Sequence, residues 1–194
     1  MSRILLVCSD IFGHTKLLED WANQILPARW RLHIVSPYLS SVNFTDEALA
    51  YSAFQRSGGI EQYGNKIATA LAANNNNQST LVGFSAGAAV LYKLLSEKDY
   101  TNSIDKFYGF YPGQIRFFTK LRPYIATQLY FPVKEPNFDI DIVLQQLSAH
   151  DNVNCFKTEF EHGFMNPSSR GHHPDAVSCY TQKLTSSLAE HAKK

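Results

Sequence analysis

A serine flanked by glycines, in the pattern Gly-x-Ser-x-Gly at residues 83–87, is the feature of this sequence that most directly indicates chemistry. It lies between an apolar run typical of a buried strand, 79–84, and a helix-like run that begins at Ala86. A sharp turn between strand and helix holds a serine in a strained backbone conformation, with its hydroxyl projecting above the sheet. Small neighbours are needed there because the two backbones pass close to each other. The pattern therefore predicts that Ser85 is a nucleophile.

A serine hydroxyl also needs a base that accepts its proton, and the base needs an acid that orients it. Glu135 follows a strand-like run that ends at residue 131, and His162 follows the last such run, which ends at residue 158. Both residues fall in loops at the carboxyl ends of strands, where a parallel sheet collects its functional groups. The order serine, acid, histidine is the order found with this kind of turn. We predict Glu135 as the acid and His162 as the base.

Two other acids compete with Glu135 for the same role. Asp139 lies where the N-cap of a helix is expected, and Asp141 lies inside that helix. Glu135 lies in the loop itself and is therefore favoured, with Asp139 as the alternative.

The other histidines fit the role of the base less well than His162. His14 lies in the loop after the first strand but precedes the serine, whereas His33 belongs to a strand and His191 to the terminal segment. The pair His172-His173 lies near Asp175, but the spacing matches no familiar metal site. No metal is predicted.

The attack of a serine on a carbonyl creates an oxyanion, which must be met by preorganised N–H donors. The amide of Ala86, at the N-terminus of the helix after the serine, is one candidate, and the helix dipole favours it further. The second donor is expected from the loop after the first strand, where we predict the amide of Ile11.

The elements that position these residues alternate between strand-like and helix-like runs. The strand-like runs are 4–8, 31–36, 79–84, 106–111, 124–131 and 153–158. The helix-like runs are 15–26, 45–54, 60–71, 86–98, 138–150 and a final one from Pro174. Alternating elements with nearly continuous apolar strands predict an α/β fold with a mostly parallel sheet and helices on both faces.

The composition limits the classes of partner. The 194 residues are enough to bury a core, and we predict one domain covering 1–194. A net charge of +1 does not favour binding to nucleic acid or to an anionic membrane. The cysteines Cys8, Cys155 and Cys179 have no metal-type spacing and indicate free thiols. The first apolar run is too short for a signal peptide, and no segment has about twenty apolar residues in a row. A cytoplasmic location is expected.

Four short segments, taken together, resemble the dienelactone hydrolase family of the α/β-hydrolase superfamily. They are Asp-Ile-Phe-Gly at 10–13, Phe-Tyr-Gly-Phe-Tyr at 107–111, Pro-Val-Lys-Glu at 132–135 and His-Gly-Phe at 162–164. Their order and separations agree with the family over about residues 4 to 190. The resemblance implies an α/β-hydrolase fold with a minimal cap or none. It also implies no metal or organic cofactor, and hydrolysis of a small carboxylic ester or lactone.

The same resemblance implies roles for single residues. Ser85, Glu135 and His162 would form the catalytic triad, with the amides of Ile11 and Ala86 as oxyanion donors. Substrate contacts would come from a set of five residues: Asp10, Phe12, Tyr111, Arg116 and Asn166.

The sequence also departs from the family pattern at four of these positions. Ser85 stands where the archetype has cysteine, Glu135 where aspartate is usual and Asp10 where glutamate is usual. Asn166 stands where the archetype has an arginine that binds a substrate carboxylate, and the basic segment around Arg116 is a candidate for another anion contact. The alternatives to an esterase are a non-catalytic module that binds a small acyl ligand on the same fold, and an acyltransferase.

Overall fold

A single parallel sheet of six strands forms the centre of the computed structural model, which describes residues 3–44 and 46–191. The strands are β1 (Arg3–Cys8), β2 (Trp30–Val35), β3 (Gln78–Phe84), β4 (Ile104–Phe110), β5 (Thr127–Phe131) and β6 (Val153–Lys157). Their order across the sheet is β2-β1-β3-β4-β5-β6, and every neighbouring pair is parallel. The predicted parallel α/β architecture is confirmed.

Within the described residues, five α-helices lie between strands and a sixth follows β6. They are α1 (Lys16–Ile25), α2 (Glu47–Arg56), α3 (Gly59–Ala73), α4 (Ala86–Glu97), α5 (Ile140–Leu147) and α6 (Pro174–His191), and a short 3₁₀ helix covers Gly113–Phe117. The predicted helix at 45–54 corresponds to α2, whose N-cap is Asp46; Thr45 lies outside the described residues. None of the described helices is long and apolar enough to cross a membrane.

Alternation along β1 shows why helices cover both faces of the sheet. Ile4, Leu6 and Cys8 belong to one buried cluster, and Leu5 and Val7 belong to another. Successive side chains of a strand point to opposite faces, so a strand that is apolar at every position needs a cover on each side. Helices α3, α4 and α5 contribute to the first cluster, and α1 and α6 contribute to the second.

The strand register brings the loops of the candidate site to one edge. Cys8 at the end of β1 pairs with Gly83 near the end of β3, and Gly83 also pairs with Gly109 of β4. Further along, Phe131 at the end of β5 pairs with Lys157 at the end of β6. Because all strands run in one direction, the segments that follow β1, β3, β4, β5 and β6 lie side by side at the carboxyl edge of the sheet.

Candidate active site

The turn between β3 and α4 holds Ser85 in an unusual backbone conformation, with φ of +46° and ψ of −112°. A positive φ in a residue other than glycine is strained and persists only where its surroundings fix it. Here the Ser85 N–H donates to the carbonyl of Phe110 at 2.9 Å, and the Ser85 carbonyl accepts from the N–H of Ala89 at 3.0 Å. These two bonds anchor the turn to β4 on one side and to α4 on the other.

Gly87 lets the first turn of α4 pass directly over the end of β1. A Cβ atom at this position would lie 2.5 Å from the carbonyl oxygen of Ser9 and 2.7 Å from that of Cys8. Both contacts are with backbone atoms, which cannot rotate away as a side chain would. The small residues predicted around the serine are therefore required by the approach of two backbones.

We expect Gly87→Ala to destabilise the protein by about 2 kcal/mol or more, because forced overpacking against fixed atoms typically costs about 1–3 kcal/mol. The matched control is Gly64→Ala in α3, where the added Cβ would meet only Val90, at 3.8 Å. Glycine in a helix is less stable than alanine by roughly 0.5–1 kcal/mol, so the control should be neutral or stabilising. Urea denaturation of both variants measures the difference, and equal midpoints would contradict the packing argument.

Three side chains predicted to act together form a continuous hydrogen-bonded chain. Ser85 Oγ lies 3.0 Å from His162 Nε2, and His162 Nδ1 lies 2.5 Å from Glu135 Oε1. The Glu135 side chain is only 10% exposed, whereas that of His162 is 36% exposed. With Nδ1–H donating to the carboxylate, Nε2 of a neutral imidazole is left as the acceptor that faces the serine hydroxyl.

The two competing acids lie in the places that helix capping predicts for them. Asp139 is the N-cap of α5, and its Oδ1 accepts from the N–H of Asp141 at 2.9 Å. Asp141, in the first turn of α5, pairs with Lys157 at 2.7 Å. The carboxylate that meets His162 is that of Glu135.

The loop that carries His162 is folded tightly against itself. Gly163 has a φ of +85°, and a Cβ on Gly171 would lie 2.0 Å from the His162 carbonyl oxygen. Ser169 Oγ donates to Glu47 Oε1 of α2 at 2.8 Å and also lies 3.4 Å from the His162 carbonyl oxygen. These contacts hold the backbone of the loop and so fix the position of the His162 imidazole.

The two amides predicted as oxyanion donors border the serine. Ala86 is the first residue of α4, so its N–H has no carbonyl four residues earlier within the helix. Ile11 lies in the loop after β1, and its N–H donates no hydrogen bond among the described residues. Ile11 and Ser85 line the same cleft. Neither N–H group donates to another described residue, so both remain available as the predicted oxyanion donors.

A cleft of about 670 Å³ opens over the hydrogen-bonded chain and is lined by Ser85, Glu135 and His162. Of the five predicted substrate contacts, three line this cleft, namely Asp10, Phe12 and Tyr111.

The structure does not support the predicted anion contact from the basic segment around Arg116. This residue is not among the residues that line the cleft. Its guanidinium donates to the Gly113 carbonyl at 2.7 Å and lies over the rings of Phe117 and Phe138, at 4.3 and 5.1 Å from their centroids. The side chain is held by local contacts, so the cations that face the cleft are Lys134 and Arg170 instead.

Asn166 reaches the site through Asp10. Its Nδ2 donates to Asp10 Oδ2 at 2.7 Å, and Asp10 Oδ1 accepts from the N–H of Phe12 at 2.9 Å. Burial raises the pKa of the Asp10 carboxyl above its ordinary value, and the bonds from Asn166 and Phe12 act in the opposite direction. The asparagine that stands in place of the family's arginine therefore satisfies a buried carboxyl of the protein itself.

Tyr111 lies buried beneath the triad, next to His162. Its φ of +39° is again in the left-handed region, and its N–H donates to the Tyr130 carbonyl at 2.7 Å. Its ring centroid lies 5.0 Å from that of His162. The ring is buried, burial raises the pKa of its hydroxyl well above the ordinary value, and the hydroxyl has no partner among the described residues.

Sequence reasoning missed the contact between α2 and the histidine loop. Glu47 Oε1 accepts from Ser169 Oγ at 2.8 Å and from the Arg170 N–H at 3.1 Å, and Glu47 and Tyr51 line the cleft. The partners are separated by more than 120 residues, so no local pattern points to the contact. In the sequence, the contact is foreshadowed only by the acidic residues at the start of the predicted helix at 45–54.

Within residues 3–44 and 46–191, no group of three or more histidine, cysteine, aspartate or glutamate side chains is arranged to hold a metal ion. His162, the member of the candidate histidine group nearest the serine, is engaged by Glu135.

Parallel strands in this order, helices on both faces and a serine at the sharp turn after β3 define an α/β-hydrolase fold. Known structures show the same fold. The dienelactone hydrolase-like promiscuous phosphotriesterase P91 from metagenomic libraries superposes with a TM-score of 0.69 at 14% identity, over 97% of this chain and 86% of that chain. The dienelactone hydrolase of Anabaena variabilis ATCC 29413 has a TM-score of 0.59 at 12% identity, over 95% of this chain and 84% of that chain.

At the level of sequence, no protein-family profile matches the chain. The uncharacterized protein YczH of Bacillus subtilis (strain 168) is 26% identical over 172 residues, which cover 86% of this chain and 82% of that protein.

Proposed function

We propose that the protein is a serine hydrolase that cleaves a small carboxylic ester or lactone through an acyl-enzyme. The observation that carries this proposal is the chain of hydrogen bonds from Ser85 Oγ through His162 to Glu135, at 3.0 and 2.5 Å. A nucleophile, a base and an orienting acid in this arrangement are the elements that acyl transfer requires.

In the first half of the reaction, Ser85 Oγ attacks the carbonyl carbon of the ester while its proton passes to His162 Nε2. The carbonyl oxygen becomes an oxyanion, which the N–H groups of Ile11 and Ala86 receive. The imidazolium is stabilised by Glu135. When the tetrahedral intermediate collapses, the bond to the leaving oxygen breaks, and that oxygen takes the proton from His162 Nε2. The products are an acyl-serine and a free alcohol, or a single ring-opened chain from a lactone.

In the second half, water replaces the alcohol. Its oxygen attacks the acyl carbon while one of its protons passes to His162 Nε2. Collapse of the second intermediate breaks the bond to Ser85 Oγ, which recovers the proton from His162. The acid is released and the enzyme is restored, with no cofactor needed at any step.

The similar structures support the choice of an acyl substrate. One of them is named a dienelactone hydrolase, another a carboxylesterase, and a third a dienelactone hydrolase-like promiscuous phosphotriesterase, and all share the fold over nearly the whole of this chain. The departure at Asn166 shapes the proposal further. Asn166 is a neutral amide, and its donor is used by Asp10, so it offers no positive charge for a substrate carboxylate; we propose an uncharged ester or lactone.

The test is labelling with a serine-directed fluorophosphonate, together with turnover of a panel of short esters and lactones. We expect one phosphonyl group per chain, mapped to Ser85 by mass spectrometry, because the Ser85 hydroxyl meets an imidazole that is itself oriented by a carboxylate. Absence of both labelling and turnover would overturn the proposal in favour of an acyl-binding module. Transfer to an added alcohol or thiol in excess of hydrolysis would instead identify an acyltransferase.

A further inference from the structure

A second, smaller cavity lies between the start of α1, the end of β3 and the start of α6. We propose that it receives the acyl group of the substrate and restricts that group to about three to four carbons. This inference rests on the proposed esterase function. The cavity measures about 90 Å³, and its apolar walls include Leu18, Trp21, Phe84, Met165 and Val177.

The cavity shares lining residues with the catalytic cleft. Asp10 and Tyr111 line both this cavity and the catalytic cleft, so the two spaces meet at these side chains. Phe84, in its wall, immediately precedes Ser85 in the chain. The Tyr111 ring also contacts His162, with 5.0 Å between ring centroids. In this assignment, an acyl chain bonded to Ser85 reaches the apolar space past the side chains of Asp10 and Tyr111.

Proton transfer decides which half of the ester occupies this space. The leaving oxygen must receive a proton from His162 Nε2, and His162 lines the open cleft but not the small cavity. The alcohol half therefore departs through the cleft, where the loop around Gly163 and Arg170 borders the exit. The acyl half is left for the small cavity beyond Asp10 and Tyr111.

The volume sets the length of the chain. A dry protein cavity of about 150 Å³ takes up benzene, which has six carbons, so a cavity of this size has room for roughly three to four carbons. Chains that fit bury apolar surface at each added methylene, and longer chains meet the walls formed by α1 and α6.

The closing experiment is a series of 4-nitrophenyl esters from acetate to octanoate. We expect kcat/KM to rise about fourfold per methylene from acetate to butanoate, from the usual free energy of burying one methylene. It should then fall at least tenfold by hexanoate. Val177 on α6 is the position to vary, because it is partly buried and lines the cavity. Val177→Phe should lower the ratio of butanoate to acetate turnover about tenfold, and Val177→Ala should move the optimum to longer chains.

The neighbouring Ser178 is exposed and does not line the cavity, so Ser178→Phe is the matched control, with an unchanged ratio. If Val177→Phe fails to fold, the shift of the optimum in Val177→Ala decides the question. Ester turnover with the same chain-length profile in all variants would overturn the acyl assignment alone and leave the esterase intact. If the Val177 variants instead changed the turnover of acetate esters with longer alcohols, and not that of esters with longer acids, the cavity would hold the alcohol and the inference would be overturned. No turnover of any ester would overturn this inference together with the proposed function.

Discussion

Ser85→Ala is expected to lower kcat for an activated ester by about 10⁴- to 10⁶-fold, the range seen when the nucleophile of a serine triad is removed. The hydroxyl of Ser85 forms a hydrogen bond to His162 Nε2 and does not cap α4. The substitution thus removes the nucleophile and one hydrogen bond, which contributes about 1 kcal/mol to stability. KM should change far less than kcat, because the cleft keeps its shape.

The measurement is the hydrolysis of 4-nitrophenyl butanoate, with the midpoint of thermal unfolding as a check on folding. Ser96→Ala is the matched control, since Ser96 lies in the same helix and its hydroxyl bonds only to the Tyr92 carbonyl, at 2.8 Å. The control should retain full activity. Ser85→Ala protein that is folded and keeps more than about a hundredth of the wild-type rate would show that the reaction does not pass through this serine.

The architecture and the turn at Ser85 were accessible from the sequence because their determinants are local. An apolar run, then Gly-x-Ser-x-Gly, then small residues already contain the close approach that Gly87 makes to the backbone of β1. The assignment of Glu135 over Asp139 also used a local rule. Asp139 precedes a helix, and a carboxylate in that position is satisfied by the helix amides, as the structure shows.

What could not be predicted depends on contacts between distant segments. The Asn166–Asp10 bond joins residues 156 positions apart, and the Glu47–Ser169 bond joins residues 122 positions apart. A sequence shows that such residues are polar but does not show which of them meet. Arg116 illustrates the reverse error. A basic residue in an aromatic segment suggested an anion site, but its guanidinium is occupied by aromatic faces and a backbone carbonyl.

The small cavity was hidden from the sequence for a related reason. Leu17 and Leu18 continue an apolar helical pattern and read as core residues, yet Leu17 is 53% exposed, and both line the cavity. Periodicity identifies the face of a helix that turns inward. It does not show whether that face meets packed side chains or an opening, because the opening is formed by residues from α6 and the segment around Met165.

The charge and reach of the Glu135 side chain are both expected to matter for catalysis. Glu135→Gln should lower kcat by about 10³- to 10⁴-fold, as expected when the acid of a triad is replaced by an amide. An amide that donates to Nδ1 moves the imidazole proton to Nε2, which then faces the Ser85 hydroxyl with a donor and cannot accept its proton. KM should remain close to that of the wild type, because neither the cleft nor the oxyanion donors change.

Glu135→Asp separates the effect of charge from that of reach. It keeps the carboxylate but withdraws it by one carbon–carbon bond from a 2.5 Å contact with His162 Nδ1. We expect an intermediate loss of about 10- to 100-fold, the size of effect that a misplacement near 1 Å produces. Asp139→Asn is the control, since asparagine caps a helix about as well as aspartate, so activity and stability should both stay near wild type. If Asp139→Asn lost activity and Glu135→Gln did not, Asp139 would be the acid, and α5 would have to move to bring it to the histidine.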